Sequence, residues 1–91
     1  MALLDDNEIQ QRLERSEWRR DGNAIVRDFK FKDFAEAVEF VKVVAGIAEE
    51  RNHHPDILVH GWNNVRLTVT NHAEGGLTDA DFGLAHAIDA L

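Results

Sequence analysis

The side chains best suited to chemistry in this chain are three histidines in two short segments. His53 and His54 stand directly before the only proline, and His72 follows later in the chain. Imidazole is the side chain whose ordinary pKa, about 6.5, allows proton transfer in both directions near neutral pH. With Glu49 one helical turn before His53, three imidazoles could act as general acids and bases, which typically contributes about 10² to 10⁴ in rate.

Two other interpretations of these histidines stay open at this point. They could be ordinary surface or helix-capping residues, or they could be three ligands of a zinc ion. Zinc is disfavoured because neighbouring residues seldom both ligate one ion, and because no two histidines have the helical i, i+4 spacing. We therefore predict no metal site, and we expect His60 and His86 to take no part in the chemistry.

The two tryptophans, Trp18 and Trp62, are further candidates for a binding role. Flat aromatic side chains could form the walls of a site for a flat heteroaromatic ligand. A tryptophan in a domain of this size is more often simply part of the core, and both interpretations stay open. Gly75 and Gly76 alone are too weak a signal for a phosphate-binding loop.

Length and composition limit the class of protein. The 91 residues allow one domain, spanning residues 1–91, and 44% apolar with 30% charged residues is an ordinary soluble globular composition. No apolar run approaches the roughly 20 residues of a membrane span. Residues 1–6 lack the features of a signal peptide. There is no cysteine, hence no disulfide or thiolate metal site. These observations predict a cytoplasmic protein without a membrane partner.

The charge of the chain argues against nucleic acid as a partner. The formal net charge is −7 at pH 7. Binding to a phosphate backbone needs clustered lysine and arginine side chains. The basic residues here are scattered, and Arg19 and Arg20 are the only adjacent pair. We therefore predict that the protein does not bind nucleic acid.

Hydrophobic periodicity and cap residues predict seven elements in the order helix, strand, strand, helix, strand, strand, helix. The predicted helices are one that begins after Asp5 or Asp6 and fades near Ser16, one over residues 34–51 with Asp33 as its N-cap, and one that begins after Thr78. The predicted strands are a short extended piece at Trp18 before a turn at residues 21–23, one over residues 24–31, one from Ile57 to near Trp62, and one over residues 65–70 after a turn at Asn63 and Asn64. Because the connections are of hairpin length, we predict an α+β fold, with a four-stranded antiparallel sheet and three helices packed on one face.

Three features of these elements carry further expectations. The apolar residues of the long helix cover more of its surface than one core-facing stripe needs, which predicts a homo-oligomer with a second subunit on that helix. Arg27 falls on the apolar side of its strand, so it should lie at a sheet edge or reach a carboxylate. Thr78 and Asp81 approximate a capping box, with aspartate in place of glutamate.

Spaced motifs extend over nearly the whole chain: Glu49-x-x-x-His53-His54-Pro55, Trp62-Asn63-Asn64-Val65 and His72-x-x-x-Gly76-Leu77-Thr78-x-x-Asp81, with Trp18 and Ile25-x-Arg27-x-Phe29-x-Phe31-x-Asp33-Phe34 upstream. In these motifs the chain resembles the pterin-4a-carbinolamine dehydratase family. This set of spaced elements is more specific than any single His-His-Pro. The resemblance implies a four-stranded antiparallel sheet with helices on one side, and a homodimer or homotetramer built through sheet edges and the long helix.

The activity that the resemblance implies is the dehydration of 4a-hydroxytetrahydropterin to quinonoid dihydropterin and water. This substrate is the product of pterin-dependent aromatic amino-acid hydroxylases, and the reaction needs no metal or cofactor. The resemblance implies that His53, His54 and His72 are the catalytic residues. The residues expected to bind the pterin are Glu49, Asn52, Thr70, Asn71 and Trp18. We expect His54 and His72 to transfer the protons, and His53 and Glu49 to orient the substrate or tune the pKa of the catalytic groups.

The chain departs from the family pattern at three places. Asn71 stands where threonine is usual, Asn52 stands where an acidic residue is common, and one extra residue lies near Gly61 before Trp62. We expect altered contacts at these places and retained activity. Family-like proteins also include a dimerisation partner of a transcription factor and assembly factors of another enzyme, so a protein-binding module is the alternative function. The assembly factors tend to lack part of the histidine set, and its presence here favours catalysis.

Overall fold

The computed structural model describes residues 2–91 and contains three helices and one four-stranded antiparallel sheet. In chain order the elements are α1 (Asp6–Leu13), β1 (Arg19–Asp21), β2 (Ala24–Lys30), α2 (Phe34–Arg51), β3 (Asp56–His60), β4 (Asn64–Val69) and α3 (Asp79–Asp89). The predicted α+β class, the order of the elements and the antiparallel sheet are confirmed. None of the helices within residues 2–91 combines the length and apolar character that crossing a membrane requires.

The strands lie in the order β1-β2-β4-β3, so β2 and β4 are central and β3 is an edge strand. Ile25 of β2 pairs with Val69 of β4, and Asp56 at the start of β3 pairs with Thr68 near the end of β4. Because neighbouring strands run in opposite directions, the segment that enters β3 lies beside the segment that leaves β4. The topology therefore brings the two histidine-containing segments to one end of the sheet.

One face of the sheet forms the core, because alternate residues of each strand point to the same side. The buried residues of the core come from this face, from all three helices and from the connecting segments at Trp18 and Leu77: Ile9, Trp18, Ile25, Ala37, Val44, Val65, Leu67, Val69, Leu77, Leu84, Ala85 and Ile88. The opposite face is largely polar. There, the Asp28 carboxylate accepts hydrogen bonds from Arg19 and Arg66, both at exposed positions. The prediction that the helices cover one face is confirmed.

The helix starts follow the predicted caps. The Asp5 carboxylate accepts a hydrogen bond from the Glu8 N–H at 2.8 Å, and Asp33 does the same for Glu36 at 2.8 Å. Each bond satisfies one of the N–H groups that a helix start leaves without an intrahelical partner. The long helix therefore has the bounds predicted from the sequence, residues 34–51.

The turn between β3 and β4 differs from the predicted one. It occupies residues 61–63, with Gly61 and Trp62 in the left-handed region, and Asn64 already belongs to β4. Asn63 is buried, and its amide donates to the Phe31 carbonyl at 2.8 Å. This tertiary bond fixes Asn63 against the end of β2, so the chain reverses earlier. Gly61, near which the family pattern implies one extra residue, lies in this turn, and Trp62 is 61% exposed.

Arg27 reaches a carboxylate from the central strand β2, which answers the question left open by the sequence. Its guanidinium contacts Asp89 and lies 4.4 Å from the centre of the Phe29 ring. Asp89 also accepts a hydrogen bond from the indole N–H of Trp18 at 2.8 Å. Trp18 is 4% exposed and is therefore a core residue whose one polar group is satisfied.

Candidate active site

The end of α2 sets the direction in which the His53–His54 segment leaves the helix. Asn52 is in the left-handed conformation, with φ 52° and ψ 41°. Its N–H donates to the Glu49 carbonyl at 3.2 Å, and the His53 N–H donates to the Ala48 carbonyl at 3.1 Å. These two bonds form a Schellman motif, which closes a helix and fixes the residue after the left-handed position. Pro55 follows and prevents the helix from continuing.

His53 is held by a buried carboxylate from α3. Its Nε2 lies 2.6 Å from Oδ1 of Asp81, whose side chain is 0% exposed. The other oxygen of Asp81 accepts the Thr78 N–H at 2.7 Å and the Thr78 hydroxyl at 3.1 Å. When the Asp81 carboxylate is ionised it can only accept, and in that state Nε2 of His53 carries the hydrogen of this contact.

Asp81 is the main residue that sequence reasoning placed in a cap and not in the site. The capping role is real, since Asp81 accepts from the Thr78 N–H. The second role depends on α3 beginning beside the end of α2, a contact across 28 positions of the chain. The available signal was the aspartate itself at the position of a capping box that glutamate usually fills.

His54 faces the solvent on another side of the segment. Its Nε2 contacts the Glu49 carboxylate, and the two side chains are 56% and 76% exposed. The spacing of Glu49 had suggested a role beside His53, but its carboxylate contacts the neighbouring histidine. Solvent screens a polar contact at this exposure, so the contact orients the ring of His54 more than it stabilises the fold.

His72 is presented by a short loop that Asn71 closes. The Asn71 N–H donates to the Gly76 carbonyl at 3.1 Å, and the Asn71 carbonyl accepts the Gly75 N–H at 2.9 Å. The Asn71 side-chain oxygen accepts the Glu74 N–H at 3.2 Å. A pocket of about 260 Å³ lies beside this loop. The residues that line it are Asn23, Ala24, Thr70, Asn71, His72 and Gly75.

Hydrogen bonds connect the His72 loop to His53. The Asn71 amide donates to the Thr78 hydroxyl at 3.4 Å, and Thr78 in turn donates to the carboxylate that holds His53. The first of these bonds is long and therefore weak. Together with the pairing of Asp56 and Thr68, these contacts bring the two predicted segments to one end of the molecule.

Thr70 lies in the site, but its hydroxyl is engaged within the protein. It donates to the carbonyl of Asn23, in the turn between β1 and β2. This bond holds the turn against the end of β4, where Asn23 forms part of the His72 pocket wall. Asn23 was not among the predicted site residues, because nothing in its local sequence indicates that the β1–β2 turn lies beside the end of β4.

Three other aromatic and histidine residues lie outside this arrangement. Trp18 and His86 line a groove of about 460 Å³ between α1 and α3, which none of the three candidate histidines lines. His60 is exposed in the edge strand β3. The structure therefore does not bring Trp18 together with the predicted pterin-binding residues.

The chemistry available at this end of the molecule is proton transfer. Two imidazoles each contact a carboxylate, and a third lies exposed beside a pocket. Among residues 2–91, no group of three histidine, aspartate or glutamate side chains is arranged to hold a metal ion. Positioned imidazoles that remain open to solvent can donate a proton to one ligand atom and accept one from another.

Comparisons with known proteins point to one family along nearly the whole chain. Residues 2–91 match the family model described as pterin 4 alpha carbinolamine dehydratase. A protein of Sulfolobus acidocaldarius that carries the provisional name pterin-4-alpha-carbinolamine dehydratase is 46% identical over 89 residues, 97% of each chain. A protein of Thermomicrobium roseum with the same provisional name is 46% identical over 92 residues, 100% of this chain and 98% of the other.

Two solved structures share the fold. A transcriptional coactivator/pterin dehydratase from Brucella melitensis has a TM-score of 0.90 at 34% identity, covering 98% of this chain and 97% of the other. A pterin dehydratase-like protein described as a RuBisCO assembly factor in the alpha-carboxysome has a TM-score of 0.69 at 27% identity. That second match covers 81% of this chain and 87% of the other. The names of these two relatives therefore include transcriptional coactivation, pterin dehydration and RuBisCO assembly.

Proposed function

This chain belongs to the pterin 4 alpha carbinolamine dehydratase family, and we propose that it is a hydro-lyase that converts 4a-hydroxytetrahydropterin to quinonoid dihydropterin and water. The observation that carries the proposal is the set of contacts from His53 through Asp81, Thr78 and Asn71 to the loop of His72. Such an arrangement orients one imidazole rigidly and leaves others exposed, as acid–base catalysis requires.

The proposed reaction needs one proton given and one proton taken. A protonated imidazole donates to the 4a-hydroxyl, the C4a–O bond breaks, and water leaves. A neutral imidazole accepts the proton of N5 as the double bond between N5 and C4a forms. We assign these two transfers to His54 and His72, whose rings are exposed, and we assign the orientation of the substrate to His53 and Glu49.

The pocket beside His72 is the proposed place for the pterin ring. Thr70 and Asn71 form part of its lining, and Asn23 adds an amide that could hydrogen-bond to a polar ring edge. Trp18 belongs to the scaffold in this proposal, since its indole is buried and bound to Asp89. We further propose that the protein acts in the cytoplasm, in tetrahydrobiopterin recycling beside an aromatic amino-acid hydroxylase.

The test is dehydration of chemically generated 4a-hydroxytetrahydropterin, followed by absorbance. We expect the wild-type protein to accelerate the reaction and His72→Ala to lower kcat/KM by at least about ten-fold, within the usual range for an acid–base group. His54→Ala should show a loss of the same order. His60→Ala is the matched control, because it removes an exposed imidazole far from the proposed chemistry. A folded wild-type protein without activity, or a fully active His72→Ala, would contradict the proposal.

A protein-binding role is the second candidate, and individual exposed apolar side chains on α2 and β3 favour it. The edge strand β3 and the helix α2 expose large apolar side chains: Phe34 at 56%, Val43 at 48% and Leu58 at 52%. A free strand edge with exposed apolar residues tends to pair with another chain. We propose that further copies of this chain cover these side chains, in a homodimer or homotetramer. A foreign protein is the alternative occupant, as in the assembly factor of similar fold.

A further inference from the structure

We propose that Asn52 positions His53 through its left-handed backbone conformation, and that its side chain is dispensable. The inference deepens the function proposed above and rests on it wherever turnover is the readout. It separates two roles for Asn52. A substrate contact requires the carboxamide group, whereas a positioning role requires only a residue that adopts positive φ.

At Asn52 the helix α2 ends and the His53–His54 segment begins. At φ 52° and ψ 41°, the Asn52 backbone lies in a region that most residues with a β-carbon avoid and that glycine and asparagine tolerate. This conformation allows the His53 N–H to turn back to the Ala48 carbonyl at 3.1 Å. A residue that disfavours positive φ would unwind this closure and move the backbone of His53.

The position of His53 matters because the carboxylate of its partner, Asp81, cannot shift with it. Asp81 is fully buried, and its second oxygen is engaged by both the N–H and the hydroxyl of Thr78. The Asp81 carboxylate is therefore fixed by α3. The backbone at the end of α2 must place the His53 ring within hydrogen-bonding distance of it. A displacement on the order of 1 Å in a catalytic group can lower a rate by about 10²-fold.

The side chain of Asn52 shows no sign of a second role. It is exposed, and within residues 2–91 it makes no hydrogen bond, while the Asn52 N–H donates to the Glu49 carbonyl. It is also absent from the lining of the pocket beside His72. Conformation is therefore the property of Asn52 that the fold uses.

Asn52→Gly and Asn52→Val separate the two roles. Glycine removes the whole side chain and keeps positive φ accessible, whereas valine disfavours it. We expect Asn52→Gly to keep kcat/KM close to the wild-type value. We expect Asn52→Val to lower kcat by about ten-fold or more, with a smaller change in KM. Glu50→Val is the matched control, because it places the same side chain at an exposed helical position in the last turn of α2.

Imidazole ¹⁵N–¹H spectra provide a readout that does not need turnover. The His53 signals of Asn52→Gly should match those of the wild-type protein, and those of Asn52→Val should shift. A large loss of turnover in Asn52→Gly with unchanged His53 signals would overturn the proposal in favour of a substrate contact. Shifted His53 signals in Asn52→Gly would overturn it too. If the wild-type protein fails to dehydrate the pterin, the function proposed above fails, and the spectra still decide the role of Asn52.

Discussion

Replacing Asp81 by asparagine turns one oxygen of a buried carboxylate into an amide nitrogen at nearly constant size. In the wild-type protein Oδ1 contacts Nε2 of His53, and Oδ2 accepts two hydrogen bonds from Thr78. An asparagine has a single acceptor oxygen. Its NH₂ group must therefore face either Thr78, where two donors would lose their acceptor, or His53, whose Nε2 could accept only with its hydrogen moved to Nδ1.

We expect Asp81→Asn to lower the free energy of unfolding by about 1.5 to 3 kcal/mol, the usual contribution of a hydrogen bond to a charged group. For a domain of this size, each kcal/mol corresponds to roughly 4 to 8 °C in melting temperature. We also expect kcat/KM for 4a-hydroxytetrahydropterin to fall by about 10²-fold, because the His53 ring loses the acceptor that orients it.

Denaturant unfolding and the absorbance assay measure these two quantities separately. Asp79→Asn is the matched control, since it makes the same chemical change in the first turn of the same helix. The Asp79 side chain is 66% exposed and pairs with Arg12 at the surface, so about 1 kcal/mol or less should be lost. If Asp81→Asn kept the stability and turnover of the wild-type protein, Asp81 would not be the residue that holds His53.

Two further predictions concern the outer face of the sheet and the surface of α2. Hydrogen bonding to Arg66, together with Arg19, lowers the pKa of Asp28 below its ordinary value of 3.8. A lowered folded-state pKa adds stability above the unfolded pKa that is lost as the pH falls through the folded one. At pH 7 the free energy of unfolding of the wild-type protein in urea should therefore exceed that of Asp28→Asn by about a few tenths of a kcal/mol, because the carboxylate is exposed. This difference should shrink as the pH falls below the ordinary pKa of 3.8. Val43→Lys should reduce the mass found by light scattering while helical circular dichroism is unchanged. An unchanged mass would exclude this part of α2 from any interface.

The local structure was predictable wherever it depends on neighbouring residues. Asp33 determines the start of α2 through a bond three residues away, and Asn52 with Pro55 determines its end. These are local rules of capping and backbone conformation, and they need no knowledge of the fold. The three candidate histidines were identifiable for a similar reason, since residue type and spacing alone mark them.

What the sequence did not reveal depends on contacts between distant parts of the chain. The buried Asn63 is hydrogen-bonded to the end of β2, and the turn therefore lies at residues 61–63 and contains only the first of the two asparagines that local propensity favoured. Glu49 has helical spacing to His53. The left-handed residue at the end of α2, Asn52, turns the chain so that His54 contacts the Glu49 carboxylate instead. Asp81 joins the site only because α3 begins where α2 ends.

Asp89 connects parts of the chain that the ribosome synthesises at different times. It bonds Trp18, 71 positions earlier, and Arg27, 62 positions earlier. A chain growing from its N-terminus contains β2 long before α3, so the guanidinium on the core face then has no carboxylate to meet. Closing contacts over such separations is entropically slow until most of the chain is present. The core side of this sheet is therefore expected to assemble in one late step, and not by gradual growth from the N-terminal half.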